Sequence, residues 1–199
     1  MVELSKAEQT RNFIIESTAD VFNKKGFAGT SLSDLTKATG LTKGSIYGNF
    51  ENKEEVALAV FDYNYNKVTQ HVQEQMDNVE TAHDKLMVYC WVYRKITRAT
   101  VNHGGCPILN TAIDSDDTHP LLTDKAAKAV AKWEKNLAKI ISDGIKTGEF
   151  KKDIIVRQMS LSLIALIEGG VMISRLTKDP TSMDNVLSTF EMLVSHMKR

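Results

Sequence analysis

The chain has 199 residues, 42% of them hydrophobic and 7% aromatic, enough for a real core in one medium domain or in a small domain joined to a larger one. Twenty-five Lys/Arg against twenty-five Asp/Glu leave a formal net charge of zero, which excludes any claim of nucleic-acid binding on bulk charge. Two cysteines, Cys90 and Cys106, exclude a disulfide framework in a chain this long. The segment Met1–Lys25 is amphipathic and charged rather than a secretory leader. The most apolar run, Leu161–Ile173, spans thirteen residues and contains Ser162 and Glu168; it is expected to be a buried helix rather than a membrane span. A cytoplasmic location without membrane contact follows as the expectation.

Helical periodicity dominates, and the fold class expected is all-α. Ser5 caps a first helix, with Glu8 completing a Ser-x-x-Glu box and Leu4 as the staple residue. Its apolar face carries Phe13, Ile14, Val21 and Phe22, and Gly26 ends it in a left-handed conformation. Thr30 or Ser31 starts a second helix with Leu32, Leu35 and Ala38 inward, and Gly40 stops it. Thr42 caps a third. Asn52 caps a fourth, which runs to about Met76 with Glu55 as its box partner. A fifth spans about Thr81 to Asn102 and should be central, being apolar almost all round between Leu86 and Tyr93. A short sixth starts at Cys106-Pro107 and stops near Asp114-Ser115-Asp116-Asp117. Pro120 begins a seventh, closed by Gly148. Asp153 caps an eighth that reaches Leu176, and Asp179-Pro180 starts the last.

The stretch from Thr39 to Glu55, TGLTKGSIYGNFENKEE, puts two glycines into one short helix. Each interior glycine costs about 1 kcal/mol relative to alanine. A helix, a Gly40 turn and a second helix, braced by a third, form a helix-turn-helix whose second helix can enter a major groove. In that reading Gly44 and Gly48 let the backbone approach a duplex. Lys43, Gly44 and Ser45 face base edges, and Asn49 lies beside them. Thr42, Tyr47 and Lys53, with Thr30 or Ser31 at the second helix start, hold phosphates. Ile46 and Phe50 hold the helix onto the core. Residues 1–55 contain seven Lys/Arg and eight Asp/Glu, yet from Leu35 to Phe50 there are two lysines and no acid. The same spacing also suits a structural helix corner with glycines at crowded contacts, and spacing alone leaves both readings open.

From Gly26 to Glu55 the chain reads GFAGTSLSDLTKATGLTKGSIYGNFENKEE. This closely resembles the signature of the TetR/AcrR family of transcriptional regulators. The resemblance rests on Gly26, Phe27, Thr30, Ser31, Gly40, Leu41, Thr42, Gly44, Ile46, Tyr47, Phe50, Asn52, Lys53 and Glu54. Two departures stand out: Gly48-Asn49 where the family often has an aromatic or histidine pair, and Thr36 where alanine is common. The resemblance implies a DNA-binding head over residues 1–52 and an effector-binding and dimerisation domain over 53–199. It implies a homodimer through the last two helices, a double-stranded DNA operator and a small-molecule effector. The function expected is that of a repressor released from its operator by a small apolar or aromatic effector.

For that effector, candidate contacts are Tyr89, Tyr93, Cys106, Asn110, Trp133, Met159, Glu168 and Met172. Asn110 and Glu168 are the polar anchors among an apolar and aromatic set. Glu168, inside an apolar helix, must find a partner, a ligand or water. Cys106 at a helix start offers an alternative, a thiol-based electrophile or oxidant sensor; a buried packing residue is the commoner role for cysteine. Cys106, His103 and Asp114 could be assembled as a nucleophile set, but no oxyanion motif accompanies them, and no enzyme activity is expected. A helical dimerisation module without DNA binding is a further alternative. The five histidines show no paired ligand spacing, and Asp114, Asp116, Asp117 and His119 lack the glycine and later glutamate of a calcium loop. No metal or cofactor is expected.

Overall fold

The structure, a computed structural model, describes residues 4–99 and 104–199. Among these residues the regular structure is nine α-helices and one isolated β-bridge, Phe150 to Lys198. The helices are α1 Lys6–Gly29, α2 Leu32–Thr39, α3 Lys43–Tyr47, α4 Lys53–Met76, α5 Ala82–Ala99, α6 Pro107–Ser115, α7 Pro120–Thr147, α8 Val156–Thr177 and α9 Thr181–Met197. The expected end of the fifth helix at Asn102, and His103 with it, lie outside the described residues.

The helix starts are written in side chains that satisfy the first free amides. Ser5 and Glu8 form a reciprocal capping box on α1. Ser31 and Asp34 do the same for α2. The Thr42 hydroxyl accepts from the Ser45 amide at 3.2 Å, and the Asn52 carbonyl oxygen accepts from the Glu55 amide at 2.9 Å. The Glu55 carboxylate, however, accepts from the Glu51 amide, so the expected box at α4 is displaced by one residue. Gly40 closes α2 with φ 68°, ψ 4°, and Gly148 follows α7 with φ 80°. At α9 the Asp179 carboxylate accepts from the Thr181 amide at 2.9 Å, with Pro180 beside it. Asp153 does not cap α8: Ile155 stands at the cap without a side-chain bond.

Gly26 departs from the expected left-handed helix end. Its φ 69°, ψ −179° lies in a region only glycine reaches readily, and the helix resumes beyond it to Gly29. Alpha-8 ends within one residue of the expected Leu176. It is 22 residues long and, by length and composition alone, apolar enough to cross a membrane. The thirteen-residue apolar run Leu161–Ile173 lies inside it, flanked by Val156–Ser160 and Ser174–Thr177. One face of α8 (Leu163, Ile164, Ile167, Gly170, Val171) is buried, and α8 packs on α9.

The chain divides into two compact units. The first runs to Lys67 and includes Pro107–Ala127; the second comprises Val68–Cys106 and Lys128–Arg199. In the first, α1 packs on α2 and α6, and α2 on α3, around Ile14, Leu35, Ile46, Phe50 and Val56. In the second, α8 and α5 pack on α9 around Leu86, Leu163, Ile167, Leu187 and Phe190. Alpha-5 is buried along Leu86 and Val88–Cys90, as its composition indicates, but Trp91 is 47% exposed.

Candidate nucleic-acid interface

Alpha-3 is held from below and left bare above. Ile46 is fully buried and Phe50 is 2% exposed, so the two apolar residues four apart anchor the helix. Thr42, Lys43 and Gly44 are exposed, and Ser45 and Tyr47 are half-buried. A methyl group at Gly44 would meet only the Thr42 hydroxyl, at 3.9 Å. Nothing in the chain's own packing therefore requires glycine there, although glycine weakens a helix. At Gly48 the reason is local: a methyl group would stand 3.2 Å from the Gly44 carbonyl oxygen, in the turn that closes α3.

Electrostatics sharpen this face. Asp34, Glu54 and Glu55 are each held by a partner within the first unit. The Lys25 ammonium lies 2.6 Å from Asp34, and this contact, with the Ser31 amide and hydroxyl, holds the Asp34 carboxyl far below its usual range. The Glu51 amide, then Arg11, lower the Glu55 carboxyl. Glu54 Oε2 lies 3.1 Å from His119 Nε2. Lys43 has no ion-pair partner among the described residues, so its charge stays available on the α3 face.

Other expected DNA contacts have internal duties. Thr30 is 1% exposed and its hydroxyl donates to the Gly26 carbonyl at 2.6 Å. Ser31 is exposed but caps α2. The Asn49 amide donates to the Ser45 carbonyl at 2.9 Å. Lys53 donates to the Phe27 and Thr30 carbonyls at 2.8 and 2.9 Å, and its ammonium sits 4.1 Å over the Phe27 ring. It is a strut from the start of α4 to the α1–α2 junction. Arg11, which sequence reading passed over, is a second strut. It donates to the Asn49 carbonyl and to Glu55, and stacks 4.0 Å over Phe50. No sequence signal marks it, because its partners lie 38 and 44 residues away.

The effector candidates separate into three places. In the second unit Tyr93 stacks on Trp133 at 5.5 Å and 5°, and Tyr89 on the same ring at 6.1 Å and 25°. The Cys106 thiol, on a residue 7% exposed, donates to Glu168 Oε1 at 2.9 Å. Burial pushes the Glu168 carboxyl up to about 7, against the lowering effect of that thiol bond. Its other oxygen is buried without a partner, as are Trp133 Nε1, Thr97 Oγ1 and Ser174 Oγ in the same unit. Met159 is half-buried, and Met172 is 42% exposed on the outer side of α8. Asn110 belongs to the first unit, where its amide donates to the Asn23 carbonyl at 2.9 Å. A cavity of about 30 Å³ beside it, lined by Asn23, Phe27, Asn64, Asn110 and Asp114 among others, has room for a water or two and not for an aromatic ligand. Burial also pushes the Cys90 thiol up to about 12, consistent with a core residue.

A short, bare-faced helix after a Gly40 turn, carried on a three-helix head and joined to a larger helical unit, defines the helix-turn-helix transcriptional regulators. Residues 14–60 match the family model for bacterial regulatory proteins of the tetR family. Residues 82–190 match the tetracyclin repressor-like C-terminal domain. The chain belongs to the TetR family. It is similar to a TetR-family transcriptional regulator from Cytophaga hutchinsonii, at 49% identity and a TM-score of 0.94, over 99% of this chain and 98% of that one. A TetR transcriptional regulator from Chloroflexus aurantiacus J-10-FL is 34% identical with a TM-score of 0.93, over 98% and 99% of the two chains. The HTH-type transcriptional repressor DhaR of Mycobacterium sp. (strain GP1) is 22% identical over 185 residues, 92% of each chain.

Proposed function

We propose that this chain is a homodimeric repressor whose residues 1–52 read an operator and whose residues 53–199 dimerise and bind the releasing effector. The observation that carries the DNA-reading part is α3: Lys43 and Gly44 lie open to solvent while Ile46 and Phe50 pin the helix, and Gly44 has no internal reason to be glycine. Lys43, Gly44 and Ser45 address base edges; Thr42, Tyr47 and Ser31 address phosphates. The relative DhaR is named a repressor, which supports the sign of regulation. A regulator of this bacterial family that reads DNA works in the cytoplasm, where bacterial DNA lies.

Dimerisation uses the outer side of α8 with α9. Leu161, Met172, Ile173, Leu176 and Met192 are large, apolar and exposed. Gly169 lies among them, and a methyl group there would meet nothing within 4 Å. Its neighbour Gly170 faces inward, where a methyl group would collide with Met183. One glycine thus admits α9 and the other leaves room for a second copy. A partner helix, rather than lipid, covers this side. Gly169→Glu is expected to yield monomers by sedimentation velocity; unaltered dimers would remove α8 from the interface.

The effector site draws on Trp133, Tyr89, Tyr93 and Glu168, whose buried, unpartnered polar atoms are Trp133 Nε1 and Glu168 Oε2. The thiol-sensor alternative is disfavoured because Cys106 is covered and its thiol already donates to Glu168. Effector release of the operator needs differential affinity for two head arrangements, on the usual scale of about 1–3 kcal/mol. The test is enrichment of duplexes from a random library by the purified chain, then a search for compounds that release them. Enriched sites with two half-sites about one helical turn apart are expected; no enrichment would defeat the DNA-reading proposal.

A further inference from the structure

Alpha-1 contains a broken hydrogen bond, and α6 supplies both missing partners. In an unbroken helix the Phe27 amide would donate to the carbonyl four residues back, that of Asn23. The Gly26 conformation, φ 69° and ψ −179°, separates the two. The Phe27 amide donates instead to Asp114 Oδ2 at 2.6 Å, and the Asn23 carbonyl accepts instead from the Asn110 side-chain amide at 2.9 Å. Asn110 and Asp114 are four residues apart, one turn of α6, so they present to the break the same spacing that α1 has lost. The Asp114 carboxyl also fills the place of a side chain at residue 26: a methyl group there would lie 2.4 Å from it. Just beyond the break, the Lys53 ammonium bonds the Phe27 and Thr30 carbonyls, and His119 meets the Phe27 ring at 4.3 Å.

We propose that Asn110 and Asp114 are positioning residues for DNA reading: α6 splints the broken turn of α1 and so fixes the junction from which α2 and α3 extend. The splint is one of two ways to satisfy the same backbone groups. If α6 withdraws, the Phe27 amide and Asn23 carbonyl can recover each other only by closing the helix through Gly26, which swings Phe27 and all that follows it. The break is thus an element with two discrete arrangements, of the kind an effector can bias. This inference rests on the DNA-reading proposal for its consequence, but not for its structural part.

The test uses the full chain and its variants Asp114→Ala and Asp114→Asn, the second of which keeps an acceptor oxygen for the Phe27 amide. Amide exchange is followed across residues 27–47 and, as a control, across α8 and α9. Affinity is measured for a duplex enriched by the wild-type chain. For Asp114→Ala, faster exchange confined to residues 27–47 and at least about a tenfold loss of affinity are expected, the loss of one charge-assisted hydrogen bond. Asp114→Asn should recover much of both. Unchanged exchange across residues 27–47 would overturn the splint, whatever the affinity. Exchange that quickens equally in α8 and α9 would mean general loosening and would also overturn it. If the wild-type chain enriches no duplex, the DNA reading fails, while the exchange measurement still decides the splint.

Discussion

Replacing Glu168 by Gln should change how stability depends on pH. The Glu168 carboxyl is raised from an ordinary 4.5 to about 7 by burial. A carboxyl raised on folding favours the fold while protonated, so its contribution is complete below about pH 4.5 and is lost as pH climbs through 7. The gap corresponds to about 3 kcal/mol. This is an upper figure, since the residue keeps some exposure and charge there is partly screened. Gln keeps an oxygen for the Cys106 thiol but never ionises. Thermal unfolding of the two proteins at matched concentration should therefore give similar melting temperatures near pH 4.5. The variant should gain relative to wild type between pH 5 and 8, by up to about 10 °C for a chain of this size. Parallel curves across that range would mean that Glu168 carries no buried penalty and is no anchor awaiting a ligand.

Two other substitutions bear on the head. Lys43→Ala should weaken binding and lower the magnitude of the salt slope by about 1 if Lys43 meets a phosphate, or relax the preference at one base position if it meets a base edge; identical titrations would remove it from the interface. Lys53→Met should lower stability by about 1–3 kcal/mol in chemical denaturation, because two carbonyls lose their cationic donor; an unchanged midpoint would return Lys53 to the role of a free phosphate contact.

Much of the fold is legible in the sequence because helix ends are local. Ser5, Ser31, Gly40, Thr42 and Asn52 act within four residues of themselves, and the structure uses each as its position indicates. The candidate interface is legible for the same reason, since Ile46 and Phe50 set the inner side of α3 by spacing alone. Long-range partnerships are not. Thr30 and Lys53 fit the pattern of phosphate contacts, yet the structure turns them to Gly26 and Phe27. Asp114 reads as part of a solvated acidic loop, and Asp116 and Asp117 are indeed exposed, but Asp114 meets an amide 87 residues away. Met172 and Glu168 stand one turn apart on the same side of α8, so spacing does not tell them apart; only the structure shows Glu168 covered and bonded by the Cys106 thiol while Met172 is 42% exposed.

Gly44→Ala tests the slender reading helix most directly. The added methyl group fits, having only the Thr42 hydroxyl at 3.9 Å, and alanine gains up to about 1 kcal/mol of helix propensity. Stability should hold or rise slightly while affinity for an enriched duplex falls at least about tenfold, because the added methyl group holds the α3 side chains off the base edges and one lost base-edge pair is worth about 1–3 kcal/mol. A variant that is equally stable and binds the same duplex with wild-type affinity would contradict the claim that α3 is bare in order to lie against DNA.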